Sequence, residues 1–253
     1  PLSSIIVSQS ATGKSYLMEA ISFLMPDEEV EFYSRITPQS LYYMERDQLK
    51  HKLLIIDERS GSEDADYAIR NLQTRHKLSL AYPLKDPVDG KLKTIVVEMS
   101  GPIAFMESST KAKLNIENTT RSFLLYLDES EAQTKRIHQY QRYLRTLEGK
   151  KTQKNIPHII NLHKNIQRLL KPTEVIIDFK NLTFPSTWIR TRRDQERFLC
   201  LIEVITYLYQ YQRTIEKDPY SNTEYIRATQ KDYETAYNLS KTALLDSLCD
   251  LPS

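Results

Sequence analysis

The sequence predicts an α/β fold: a parallel sheet flanked by helices, followed by an all-helical region. Three observations carry that prediction. An apolar run, Ile5-Ile6-Val7, leads straight into a polar loop ending Gly13-Lys14-Ser15, and an amphipathic stretch with Leu17, Met18, Ile21, Leu24 and Met25 leaves it. Strand and helix patterns then alternate to about residue 130, as in a parallel sheet covered on both faces. Beyond that point the texture becomes long helical periods. Two domains are expected, at 1–130 and 131–253.

The elements follow in order. After the loop helix comes a short strand, Val30-Glu31-Phe32-Tyr33. Thr37-Pro38 supplies a cap and a first-turn proline for a helix running through Tyr42 to Leu49. Leu53-Leu54-Ile55-Ile56 reads as a buried strand ending in Asp57-Glu58, and Ser60 with Glu63 forms a capping box for a helix to about Thr74. Residues 77–98 alternate on both sides of Lys85-Asp86-Pro87-Val88-Asp89-Gly90-Lys91, which predicts a β-hairpin with a basic tip. Residues 101–106 and 122–127 are further core strands. Helices are then expected over Glu131–Glu148, Pro157–Leu170, Arg193–Gln212 and from Thr229 to about Leu248, with a short extended stretch at Val175-Ile176-Ile177.

The chemistry concentrates in two places. Ser8-Gln9-Ser10-Ala11-Thr12-Gly13-Lys14-Ser15 has the form of a Walker A loop, and Leu53 to Glu58 that of a Walker B strand. Backbone N–H groups at such a loop and helix start cradle phosphate oxygens, aided by the positive end of the helix dipole. Ser10, Ala11, Thr12 and Gly13 would line the cradle. Lys14 would set an ammonium against the β- and γ-phosphates of ATP, while Ser15 and Asp57 would hold Mg²⁺. Glu58 stands where a carboxylate can orient or deprotonate the attacking water. Serine replaces the usual first glycine, and Ala11 and Thr12 reduce the glycine count further, so the loop has less backbone freedom than most.

This order of features resembles the AAA+ superfamily, and within it the MCM-like replicative helicases, in particular the motor regions of primase–helicase proteins of phages and mobile elements. Two further stretches carry the resemblance. Gly101-Pro102 leads a strand into Glu107-Ser108-Ser109-Thr110, where the family places its sensor 1, here Ser109 or Thr110. Thr191-Arg192-Arg193 opens a helix like the family's lid helix, with Arg193 at the sensor 2 position. The resemblance implies a helical lid, an arginine finger at Arg121 within Asn118-Thr119-Thr120-Arg121, and a ring of identical subunits with ATP between them. It also makes the 77–98 hairpin the pre-sensor hairpin, with Lys85, Lys91 and Lys93 meeting single-stranded DNA in a central channel.

Composition limits the alternatives. A net charge of +2 across 253 residues, 27% of them charged, does not announce a nucleic-acid binder globally, so DNA contact needs local patches. Cys200 and Cys249 read as buried thiols of a reducing cytoplasm, and no Cys/His set has zinc spacing. No stretch is apolar enough to span a bilayer and nothing resembles a signal peptide, so no membrane partner is expected. The start at Pro1, almost on the loop strand, reads as a domain cut from a longer protein. Two rivals stand beside the helicase motor: a P-loop phosphotransferase and a non-catalytic AAA+ switch or scaffold.

Overall fold

A computed structural model describes residues 1–37, 39–58, 63–85, 91–110, 116–180, 182–186 and 190–249, with the backbone alone for Glu58, Glu63, Asp64, Ile116 and residues 245–249. The chain forms two compact units, Ser3–Arg121 and Ser122–Ser253, so the dividing point falls ahead of residue 130. Strands β1 (Ser3–Val7), β2 (Val30–Tyr33), β3 (Leu53–Glu58), β6 (Ala104–Ser109) and β7 (Phe123–Tyr126) make a five-stranded sheet in the order β2-β3-β6-β1-β7. The pairings β2–β3, β3–β6 and β6–β1 are parallel, as expected.

In the first unit the sheet reads as continuous apolar runs because helices cover it. Ile5, Ile6 and Val7 of β1 and Leu54, Ile55 and Ile56 of β3 are all buried, with no alternation. Helix α1 (Lys14–Leu24) buries Met18, and α2 (Glu63–Arg75) packs Ala68, Ile69 and Leu72 into the cluster that holds Leu54, Ile56 and Phe105. Ser60 lies outside the described residues, so the capping box at the start of α2 does too. A short helix, α3 (Ile116–Thr119), closes the unit.

The helix expected from Thr37 to Leu49 is not formed. A single 3₁₀ turn spans Gln39–Tyr43, and Pro38 lies outside the described residues. Tertiary hydrogen bonds take what a helix would use: the Arg46 carbonyl accepts from Ser100 N at 2.7 Å, while Lys50 N turns to the Asp47 carbonyl at 3.1 Å. Leu41 and Leu49 still reach the core from this irregular path.

The hairpin does form. Strands β4 (Lys77–Lys85) and β5 (Leu92–Ser100) pair antiparallel from Lys77↔Ser100 to Lys85↔Leu92 as a separate two-stranded sheet. Its base is anchored by buried Leu78 and Met99 and by a 2.6 Å ion pair between Lys77 and Glu98. Residues 86–90 of the tip lie outside the described residues.

The second unit is mostly helical but not all-helical. Strands β8 (Glu174–Ile176), β9 (Glu216–Lys217) and β10 (Glu224–Arg227) form a three-stranded sheet in the order β8-β10-β9. Buried Ile226 and the bonds from Arg227 to Glu216 and Asp178 hold these strands together. Runs of two to four residues give too little periodicity to be read as strands, though Val175-Ile176 falls in β8. Helices α6 (Thr191–Leu208) and α7 (Gln230–Cys249) supply the core of Phe198, Ile202, Ile205 and Ala236. Asp232 accepts from Thr229 N at 2.8 Å, the expected capping pair of α7.

Between β7 and β8 the chain forms α4 (Glu131–Tyr143) and α5 (Leu147–Arg168). Helix α5 begins ten residues before Pro157, which sits inside it instead of starting it. The break comes at Leu144–Thr146, where Thr146 caps the new helix by accepting from Gly149 N at 3.1 Å. Gly149 is required: an added Cβ would stand 2.1 Å from the Tyr143 carbonyl oxygen.

The second unit also buries an ionic cluster. Asp194 and Arg197 are both buried on α6 and bonded to each other, and Arg197 also donates to the Ser122 carbonyl. The guanidinium lies 5.0 Å from the Phe123 ring centroid, and Arg190 Nε is 3.7 Å from Asp194. Burial pushes the Arg197 guanidinium below its usual range, and the Asp194 carboxylate opposes that shift. Removing one partner of a buried pair leaves the other charge uncompensated. Asp194→Ala is therefore expected to cost about 3–5 kcal/mol of stability. Chemical denaturation checks it, and a loss below about 1 kcal/mol would mean that solvent already compensates Arg197.

Candidate functional site

The site is assembled at the carboxyl ends of β1, β3 and β6. Ser8 N donates to the Ser109 carbonyl at 3.3 Å, so the loop leaves β1 alongside the end of β6. The chain then turns through Ala11 at φ 64° and Gly13 at φ 97° before α1 starts at Lys14. Gly13 adopts this left-handed geometry without a side-chain penalty, whereas Ala11 bears one.

Side-chain bonds stand in for the missing glycines. Buried Ser8 donates its hydroxyl to Thr12 Oγ1 at 2.6 Å, and Thr12 Oγ1 donates to the Gln9 carbonyl at 2.9 Å. Lys14 Nζ donates to the carbonyls of Ser8 at 3.0 Å and Gln9 at 2.5 Å, which draws the ammonium over the loop. The first amides of α1 have no intrahelical acceptor, as at any helix start, and no acidic side chain occupies its first turn. Those features suit a phosphate.

Opposite the loop, β3 breaks register with β6. Ile56 faces Glu107 and Glu58 faces Ser108, so Asp57 is the extra residue of a bulge. Bulges re-aim side chains, and this one presents Asp57 to the loop. Ser15 Oγ donates to Asp57 Oδ1 at 2.8 Å, and Ser108 Oγ donates to the Asp57 carbonyl at 2.5 Å. A hydroxyl and a carboxylate held together are hard oxygen donors that fit Mg²⁺. The resulting cleft, ≈ 480 Å³, is lined by Ser10 to Tyr16, Asp57 and Ser108 to Thr110. That volume suits a nucleotide-sized ligand.

Most of the sequence-derived residues meet here. Ser10, Ala11, Thr12, Gly13, Lys14, Ser15, Asp57 and Ser109 all border the cleft. Glu58 closes β3 one residue beyond Asp57, and its side chain lies outside the described residues. Arg121 is not among the lining residues: it donates from Nε to Thr74 Oγ1 at 3.2 Å and from Nη1 to the Glu117 carbonyl at 2.7 Å. Arg193 is exposed in the first turn of α6, in the other unit. Lys85 and Lys93 are exposed on the hairpin strands, and Lys91 is exposed just before β5.

Sequence reasoning missed Ser108, whose hydroxyl fixes the bulge, and Tyr16 at the cleft's rim. The run Glu107-Ser108-Ser109 offered three polar residues at a strand end without saying which one turns toward β3. Cys200 is a free thiol but half-buried instead of buried, and burial pushes its pKa up, while the side chain of Cys249 lies outside the described residues. Tyr209 and Tyr211 are exposed. Among the described residues no cluster of three His, Cys, Asp or Glu could hold a metal, and no helix is long and apolar enough to cross a membrane.

Comparison with known proteins places these features. A protein-family profile described as the MTBMA_p00010 P-loop domain matches residues 1–172. No curated protein sequence matches the chain. A solved structure of a possible uridine kinase from Bacillus stearothermophilus is similar in part, at 19% identity over 59% of this chain and 84% of that one, with a TM-score of 0.28.

The loop geometry has a direct test. Glycine at position 11 removes the left-handed penalty, about 1–2 kcal/mol, and adds unfolded-state entropy worth somewhat less. Ala11→Gly is expected to raise stability by roughly 0.5–1 kcal/mol, whereas Gly13→Ala should lower it. Thermal unfolding of the two variants checks the pair, and the opposite order would contradict the loop conformation.

Proposed function

The chain belongs to the family of the MTBMA_p00010 P-loop domain, and we propose that it is the ATP-hydrolysing motor domain of an MCM-like DNA helicase acting in replication. The observation that carries the reading is the 2.8 Å bond from Ser15 to Asp57, which sets the hydroxyl and the carboxylate in place for a nucleotide-bound Mg²⁺. Ser15 and Asp57 would hold that ion, which would supply charge neutralisation at the phosphates.

The chain's own residues divide the remaining work. Amides from Gly13 onward cradle the phosphates, and Lys14 exchanges its loop carbonyls for phosphate oxygens. Glu58 orients the lytic water and takes its proton, and Ser109 holds that water from the end of β6. The placement of β6 between β1 and β3 supports this role, since it sets Ser108 and Ser109 between the loop and Asp57. Arg121 acts on the γ-phosphate of a neighbouring subunit in a homo-oligomeric ring. Its position outside its own chain's cleft supports a role in trans. Arg193 serves as sensor 2, and the hairpin lysines Lys85, Lys91 and Lys93 meet a DNA strand in the central channel.

Glu58→Gln is expected to keep ATP bound and lose turnover by roughly 10²–10⁴-fold, the usual loss for a positioned base. Lys14→Ala should lose nucleotide binding instead. Calorimetry and phosphate release separate the two. Undiminished turnover in Glu58→Gln would sink the hydrolase, and phosphate transfer to an added small acceptor would favour the phosphotransferase.

Assembly is tested by mixing. With Arg121 supplied in trans, a finger of this kind contributes roughly 10³–10⁵ in rate. Arg121→Ala and Lys14→Ala protomers, each inactive alone, should regain activity when combined, because one mixed interface keeps an intact site. Absence of rescue at every ratio, with assembly confirmed by light scattering, would remove the shared site.

A further inference from the structure

The charge of this chain is unevenly placed. Residues 131–171 hold ten Lys and Arg against two Asp and Glu, a local net of +8 in a chain whose total is +2, so the remainder carries −6. The hairpin at 77–98, by contrast, has a net of only +1. Two carboxylates cannot match ten cations, whatever their local geometry. The basic segment corresponds to α4, α5 and their junction, all within one unit and within the residues matched by the family profile.

The junction is fixed, not loose. Arg142, Arg145, Lys150, Lys151 and Lys154 are exposed within thirteen residues that include one acid, Glu148. Thr146 caps α5, Gly149 is packed against the Tyr143 carbonyl, and the Tyr143 hydroxyl meets Thr152 Oγ1 at 2.8 Å. Arg145 is braced by donating to the Gln141 carbonyl at 2.7 Å. Two residues before Arg142 in the chain, Tyr140, 49% exposed, stacks on Tyr143 with centroids 6.3 Å apart and planes at 28°. Helix α4 buries no residue at all.

We infer that the α4–α5 junction is a binding site for a single-stranded nucleic acid, its phosphates on Arg142, Arg145, Lys150, Lys151 and Lys154 and a base on Tyr140. Cations interleaved with an aromatic face are what a single strand needs, since every base has a π-face and every linkage a charge. An anionic lipid surface shares the charge but requires an apolar face along the whole segment. Helix α4 offers only Ile137 and Tyr140 among its exposed large apolar residues. The exposed Ile156, Ile159, Leu162 and Ile166 of α5 lie on the side away from Lys150 and Arg168 at the 100° per residue of an α-helix, while exposed Leu147 falls on the side of Lys151 and Lys154. None of its residues lines the Walker cleft, and the site does not depend on hydrolysis.

The test is binding of fluorescent oligodeoxythymidylate and oligouridylate against salt, without nucleotide, to the wild type and to Lys150→Gln/Lys151→Gln/Lys154→Gln. These side chains are exposed and glutamine keeps helix propensity, so circular dichroism should be unchanged. The variant is expected to lose about two units of log–log salt slope and about ten-fold or more in affinity at moderate salt. Tyr140→Ala should weaken single strands roughly ten-fold and leave a duplex of the same sequence nearly unaffected. Lys14→Ala should bind strands as the wild type does, so a failed ATPase reading leaves this result standing. An unchanged slope in the triple variant overturns the inference. So does loss of the slope in Lys85→Gln/Lys91→Gln/Lys93→Gln instead. Tighter capture by phosphatidylglycerol vesicles than by either strand also overturns it, and assigns a lipid surface.

Discussion

Strands β1, β3 and β6 run parallel, with β6 in the middle, and their carboxyl ends reach the same level. Every feature of the cleft depends on that alignment. A parallel ladder delivers three chain ends to one edge, and each must then find a path away from it. From β1 that path is the left-handed loop into α1, and from β3 it is the bulge that turns Asp57 outward. From β6 it is the serine pair whose first hydroxyl closes on the bulge. Ser15 on the first path and Asp57 on the second meet because the register of β6 with both neighbours leaves no slack.

The second unit uses charge in two opposite ways. Around Arg197 a cation is taken out of water and held by a carboxylate, a carbonyl and an aromatic face, an arrangement that fixes the start of α6. Replacing such a pair with apolar residues is often neutral, so its value lies in fixing a geometry more than in net stability. Around the α4–α5 junction, cations stay in water on helices that bury almost nothing. There the packing is spent on a few backbone contacts at Gly149 and Thr146, and the side chains are left facing outward.

Legibility followed the range of the interactions. The nucleotide loop could be read because strand, loop and helix are contiguous, and the lysine and serine that matter are set by local geometry. The hairpin could be read from alternation alone. The helix expected at 37–49 failed because Arg46 and His51 bond to Ser100 and Pro102, some fifty residues away. The Thr-Arg-Arg start of α6 drew attention to Arg193, whereas the buried arginine is Arg197, one turn on, and burial is not written in a run of charges. Ser8 looked like a defect because its hydroxyl bond to Thr12 cannot be seen without coordinates. The basic junction was visible as charge but not as a site, since only the structure fixes Tyr140 and the lysines on an exposed, tightly built corner.

The hairpin has one more property. Strands β4 and β5 form a sheet of two, so among the described residues each is an edge, with backbone groups along its outer side that could recruit a further strand. Leu84, Leu92 and Val96 are exposed along it, which makes the ribbon sticky as well as open. A two-stranded ribbon of this kind is marginal in water, and Lys85, Lys91 and Lys93 are spaced along its outer half. Charges at those positions act as gatekeepers against edge-to-edge aggregation. The same lysines that suit a phosphate backbone therefore also keep the protein in solution, and any neutralised variant must be judged against its own solubility before its affinity is read.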